Sequence, residues 1–150
     1  MHNLYEPSRV AELRQRLARL QSDSRAHWGK MTVSQAMAHC AAAFENALGD
    51  KKPARMFIGR IIGPLIKRLA IGDDKPIKRN SPTAPALIIT DERDFDSERR
   101  RLDALIARFA AEGAQGCTRH PHTFFGRMTP DEWAVLMYKH TDHHLRQFGV

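Results

Sequence analysis

The chain has 150 residues, a length that suits one domain, and a formal charge of +7 from 24 Lys and Arg against 17 Asp and Glu. Its apolar content, 42%, is that of a globular protein, and no stretch is long and uncharged enough to span a bilayer, so no membrane partner is expected. The two cysteines, Cys40 and Cys117, cannot build a disulfide framework, and Met1-His2-Asn3-Leu4-Tyr5-Glu6-Pro7 lacks a signal-peptide pattern; a reducing cytoplasm is the expected setting.

The first helix is expected from Pro7, a favoured first-turn residue, to about Ser22, with Val10, Leu13, Leu17 and Leu20 as its buried stripe. Basic side chains such as Arg9, Arg14, Arg16 and Arg19 recur along the chain as far as Arg99-Arg100-Arg101. They form no recognisable nucleic-acid motif, so solvated helix faces come first, an anionic small molecule second and nucleic acid last.

A second helix opens with Thr32 as N-cap and Gln35 completing a capping box. Val33, Met37, Cys40, Phe44 and Leu48 make its apolar side, and Gly49 suits the position beyond its end. His39 falls at the edge of that side among alanines. From about Ala54 to Ile71 the pattern is apolar and basic together, and Gly63-Pro64 predicts a helix kinked or broken there. The stretch Gly72 to about Asp94, with Pro76, Pro82 and Pro85, reads as irregular; Leu87 to Thr90 is a short strand or an extended packing segment.

A further helix is expected from about Asp96 to Glu112, stopped by Gly113, with Leu102, Leu105, Ile106 and Phe109 inward. The linker from Ala114 to Arg127 carries His120 and His122, which are read as structural or pocket-lining groups. Thr129-Pro130-Asp131-Glu132 is the best helix start in the chain, and the last helix should reach about Phe148. The expected architecture is all-α: residues 1–150 as a single helical bundle of four main helices, with an extra broken helix and a long irregular connecting segment.

On the last helix, Trp133, Leu136, Met137, His140 and His144 follow one stripe at steps of three and four. Histidines thus stand where core leucines would. A buried imidazole needs a hydrogen-bond partner or a metal, since leaving it unsatisfied costs about 1–3 kcal/mol. Stacked four apart, His140 and His144 can grip one divalent ion, with His39 as third ligand from another helix. Core histidines bonded to carbonyls, or a metal-free catalytic pair, stay open at this point, as does a His140–His143 pairing. Otherwise His143 is assigned to the surroundings of the site. Trp133 is first an apolar anchor and only second a pocket wall. Thr141 stands where a zinc protease would carry its glutamate base, which sets that class aside.

The tail His140-Thr141-Asp142-His143-His144-Leu145-Arg146-Gln147 resembles the final-helix signature of the DinB/YfiT-like superfamily of helical-bundle metalloproteins, with Gln147 three residues after the second histidine of the pair. Trp28 to His39 resembles that superfamily's approach to its first ligand, and His120 to Thr129 its loop before the last helix. The ending His-His-Leu-Arg-Gln-Phe-Gly is similar to that of a branch classed as a domain of unknown function. The resemblance implies His39, His140 and His144 as a metal triad in a DinB-like four-helix bundle, up-down-down-up in arrangement and commonly dimeric. It departs in that the usual His-Arg-Gly-Gln ending is His144-Leu145-Arg146-Gln147 here, and in the Gly63-Pro64 interruption.

Three imidazoles leave an ion a position for something exogenous, which suits a catalytic site better than a structural one. Zinc and nickel both fit such donors. The leading functional expectation is therefore a metal-dependent enzyme acting on a small molecule. By analogy with the resembling family, transfer of a low-molecular-weight thiol comes ahead of metal-dependent hydrolysis. A non-catalytic metal- or ligand-binding stress-response protein is the alternative. His143, Glu45 and Asp142 are general-base candidates by proximity alone, with Asp142 projecting roughly opposite the histidine pair.

Overall fold

Three of the five helices begin where a side chain accepts a first-turn backbone N–H: Thr32, Asp94 and Thr129. In the computed structural model, which describes all of Met1–Val150, the elements are α1 (Pro7–Ala18), α2 (Val33–Leu48), α3 (Phe57–Ile71), a 3-10 turn (Pro85–Leu87), α4 (Phe95–Gly116) and α5 (Pro130–Gln147). Both capping boxes form: Thr32 with Gln35 opens α2, and Thr129 with Glu132 opens α5. Gly49 closes α2 in the left-handed region (φ 81°), a conformation that a Cβ would strain. No helix is long and apolar enough to cross a membrane.

Four helices share one core. α2 packs chiefly against α4, α5 against α2 and α1, and α1 against α4. Between them lie Leu13, Leu17, Met37, Phe44, Leu102, Ile106, Phe109, Trp133 and Met137, all essentially without solvent contact. Phe44 and Phe109 meet edge to face at 5.7 Å across the α2–α4 seam, a favoured aromatic geometry. The long α2–α4 seam places the outer edge of α2, with His39, opposite α5.

α3 reaches this core only at its end, through Ile71, and touches α5 alone among the helices. It is also one continuous helix through Pro64, so the expected break does not occur. Pro64 and Arg60 are exposed, so water can satisfy the Arg60 carbonyl that loses its intrahelical donor at the proline. The opposite face carries Gly59 and Gly63, which lie against the Phe124 backbone so closely that a Cβ would stand 2.5 Å and 2.1 Å from its carbonyl oxygen. Lys139, buried on α5, donates its Nζ to the carbonyls of Ala70 (2.5 Å) and Asp73 (2.9 Å), placing a cation at the negative end of α3.

Other boundaries move modestly. α1 ends at Ala18 rather than Ser22, although Leu20 still reaches the core. α4 runs from Phe95 to Gly116 but departs from helical geometry at Gly113 (φ 59°, ψ −151°), so the expected stop becomes a kink followed by one more turn. Leu87 to Thr90 is not a strand: the 3-10 turn ends at Leu87, and Ile88 continues extended. That segment packs beside α2, which is how it reaches the histidines.

Candidate metal centre

α2 brings His39, and α5 brings His140 and His144, to one place. The candidate ligand nitrogens of these three all lie within 4.8 Å of one another, and the Nε2 atoms of His39 and His140 are 2.8 Å apart. The rings meet in T-shaped, edge-to-face fashion, with centroids 4.7–4.9 Å apart in all three pairs. The i,i+4 spacing on α5 stacks two of the rings, and His39, only 3% exposed, closes the group from the facing helix.

Partners behind the rings decide which nitrogen is free. His39 Nδ1 donates to the Leu87 carbonyl at 2.8 Å; a carbonyl can only accept, so the lone pair of neutral His39 is on Nε2. His144 Nδ1 donates to Gln147 Oε1 at 2.8 Å, leaving its Nε2 free in turn. The Gln147 amide is held in that orientation because its Nε2 donates to the Trp28 carbonyl at 2.7 Å. Gly29 lets Trp28 come this close, for a Cβ there would stand 2.6 Å from Gln147 Nε2. Such orienting hydrogen bonds are what metal-binding histidines use to fix tautomer and direction.

The electrostatics agree with that assignment. Burial pushes the His39 imidazole below its ordinary pKa, against the pull of the Leu87 carbonyl. His140 lies well below, through burial and then the neighbouring His39 and His144, and burial carries His144 down to about 3. All three are therefore neutral near pH 7, the form in which imidazole binds metal. Around a tetrahedral ion at roughly 2.0–2.1 Å, ligand nitrogens stand about 3.3 Å apart. The spacings in this cluster bracket that value. In donor type, protonation and spacing, the three residues fit one divalent transition metal ion.

The remaining site candidates sort by partner. His143 donates Nδ1 to the Ile77 carbonyl at 3.1 Å and turns its ring edge toward Trp28 and His144, outside the cluster. Arg79 lies over the Trp28 ring at 4.2 Å. His120 Nε2 is 3.1 Å from the Pro53 carbonyl, away from the cluster. Trp133 is buried and Trp28 half-buried, and the indole N–H of each is closed to solvent without a protein acceptor. Neither carboxylate candidate is a free base. Asp142 is engaged by Arg16 and Arg146, and Glu45 by Arg101 and Lys51.

His122 holds the loop before α5. Its Nδ1 accepts the backbone N–H groups of Phe124 and Phe125 at 3.1 Å each, while its ring stacks on Phe125 and leans on Trp133. Burial lowers its pKa to about 4. Between about pH 6.5 and 4 the unfolded chain thus binds a proton here that the native state refuses, so stability falls as pH falls through this window, by about 3 kcal/mol in all. In His122→Asn, whose Oδ1 can accept the same N–H groups, the dependence of unfolding free energy on pH should flatten by about one proton. An unchanged slope would refute this role.

The side-chain pattern did not indicate Leu87 and Ile77 as partners of His39 and His143, or Trp28 as the partner of Gln147. All three act through backbone carbonyls, which no side-chain pattern encodes. Gly29 beside Trp28 was the only available signal.

No curated protein and no solved structure matches the chain. One family's sequence model does, over residues 6–149, under the description "Protein of unknown function (DUF1569)". The chain, with its histidine cluster built from α2 and α5, belongs to the DUF1569 family.

Proposed function

We propose that His39, His140 and His144 bind one divalent transition metal ion, zinc or nickel, and that the protein is a metal-dependent enzyme acting on a small molecule, with thiol transfer ahead of hydrolysis. The observation that carries this reading is the pair of fixed Nδ1 donations, His39 to Leu87 and His144 to Gln147, which leaves both Nε2 lone pairs in one cluster with His140. The likeness of the tail to the DinB/YfiT-like signature supports the same triad.

When bound, such an ion lowers the pKa of a water or thiol and supplies a nucleophile at neutral pH. The chain's own groups serve that chemistry by position. Leu87 and Gln147 hold two rings in register, and burial keeps the imidazoles unprotonated. Asp142 and Glu45 are neutralised by arginine or lysine, so side-chain proton abstraction has no candidate among them.

Elemental analysis of the untagged protein should find about one zinc or nickel ion per chain. Incubating that protein with a panel of cellular thiols and electrophiles should then give thiol-dependent turnover. Bound metal without thiol binding or turnover would discard the transferase and leave a metal-binding protein.

A further inference from the structure

We propose that the outer face of α3 docks on an anionic lipid surface, with the helix lying flat in the headgroup region. Eight large apolar side chains are exposed to solvent, and six of them sit on this one helix. Phe57, Ile61, Leu65 and Leu69 are 63–76% exposed, and Ile58 and Ile62 join them. At 100° per residue these six fall within an arc of about 140°. Scattered exposed apolar residues are ordinary, but a contiguous stripe marks a binding surface.

Phe57, Ile61, Leu65 and Leu69 leave most of their surface to solvent, whereas Ile58 and Ile62 are partly covered at the edge of the stripe. Attachment comes from the other side: Gly59 and Gly63 against the Phe124 backbone, Lys67 to Glu132 (2.7 Å) and to the Arg127 carbonyl (3.1 Å), and Lys139 on the carbonyls of Ala70 and Asp73. Glycines at the inner contacts and large apolar residues outside is the reverse of a helix that uses its apolar face for folding. The outward face therefore has an apolar occupant of its own.

Charge selects that occupant. From Lys51 to Gly72 the chain has six cations, Lys51, Lys52, Arg55, Arg60, Lys67 and Arg68, and no acidic residue. Lys52, Arg60 and Arg68 are exposed and have no ion-pair partner, although ion pairs are frequent elsewhere on the surface. On the helical wheel Arg68 falls just inside the Phe57 edge of the apolar arc and Arg60 about 60° beyond that edge, so both cations lie on one side of the stripe. A second copy packed on the same face by two-fold symmetry would set this basic border against itself. An anionic bilayer satisfies both halves of the face at once: acyl chains receive the apolar stripe and headgroups the cations. The helix, about 22 Å long, carries its apolar residues along nearly its whole length, as a surface-lying helix does.

The test is sedimentation of the full chain with vesicles of phosphatidylcholine alone or containing about 30% phosphatidylserine. Wild type should sediment with the anionic vesicles only, and less so as salt rises. The double variant Ile61→Asp/Leu65→Asp should stay in solution while keeping its helical circular dichroism, because both side chains are exposed. Lys52→Gln, Arg60→Gln and Arg68→Gln should each weaken binding about fivefold. Absence of sedimentation, or equal binding to neutral vesicles, would overturn the proposal. So would lipid-free self-association in light scattering that the Ile61→Asp/Leu65→Asp variant abolishes, which would assign the face to a second copy.

Discussion

Alanine at His39, His140 or His144, one at a time, is expected to lower metal affinity by more than about 100-fold, because each removes one of three protein donors. Gln147→Leu should cost less, about 10–100-fold, because it leaves all three donors but frees the His144 ring from its orienting acceptor. The Trp28 carbonyl would also lose its amide donor in that variant. His143→Ala and His120→Ala should keep the metal, since their ring nitrogens face the Ile77 and Pro53 carbonyls. Metal content measured by elemental analysis, beside a folding check for each variant, decides between these orders. Full retention in His144→Ala with loss in His143→Ala would refute the ligand set and move the site by one residue.

Asp142→Ala is expected to destabilise the fold by about 3 kcal/mol while leaving metal content unchanged. The Asp142 side chain is 8% exposed and receives Arg16 Nη1 at 2.7 Å and Arg146 Nε at 2.9 Å. Arg16, itself 13% exposed, also holds the Val150 carbonyl at 3.0 Å, tying α1 to the end of the chain. Removing the carboxylate strands a poorly solvated guanidinium, which Glu12 at 3.2 Å compensates only in part. The cost therefore falls at the lower end of that for breaking a buried pair. Chemical denaturation would measure it. A loss of less than about 1 kcal/mol would mean that the pair behaves as a surface ion pair.

α5 divides these two roles around its circumference. One side carries His140 and His144, the other Asp142, and the 100° step between residues separates binding from stability. The sequence reading of Asp142 as projecting away from the histidine pair agrees with its engagement by α1. Its near-complete burial did not follow from the sequence, because Arg16 lies 126 residues away.

Short-range chemistry was written plainly in the chain. Two capping boxes, a proline at the first turn and a glycine at a helix end mark α2 and α5 by local hydrogen bonding, and the i,i+4 histidines follow from the helical period alone. The sequence by itself thus determined the helices and the two stacked rings. Only the tertiary structure decided that His39 faces those rings, that the Leu87 carbonyl, by accepting from Nδ1, leaves the His39 Nε2 lone pair toward them, and that α3 passes unbroken through Pro64 with its apolar side outward. The reason is range: capping and periodicity act within a turn or two of helix, whereas a backbone carbonyl or a glycine contact acts through whatever distant segment the packing brings against it.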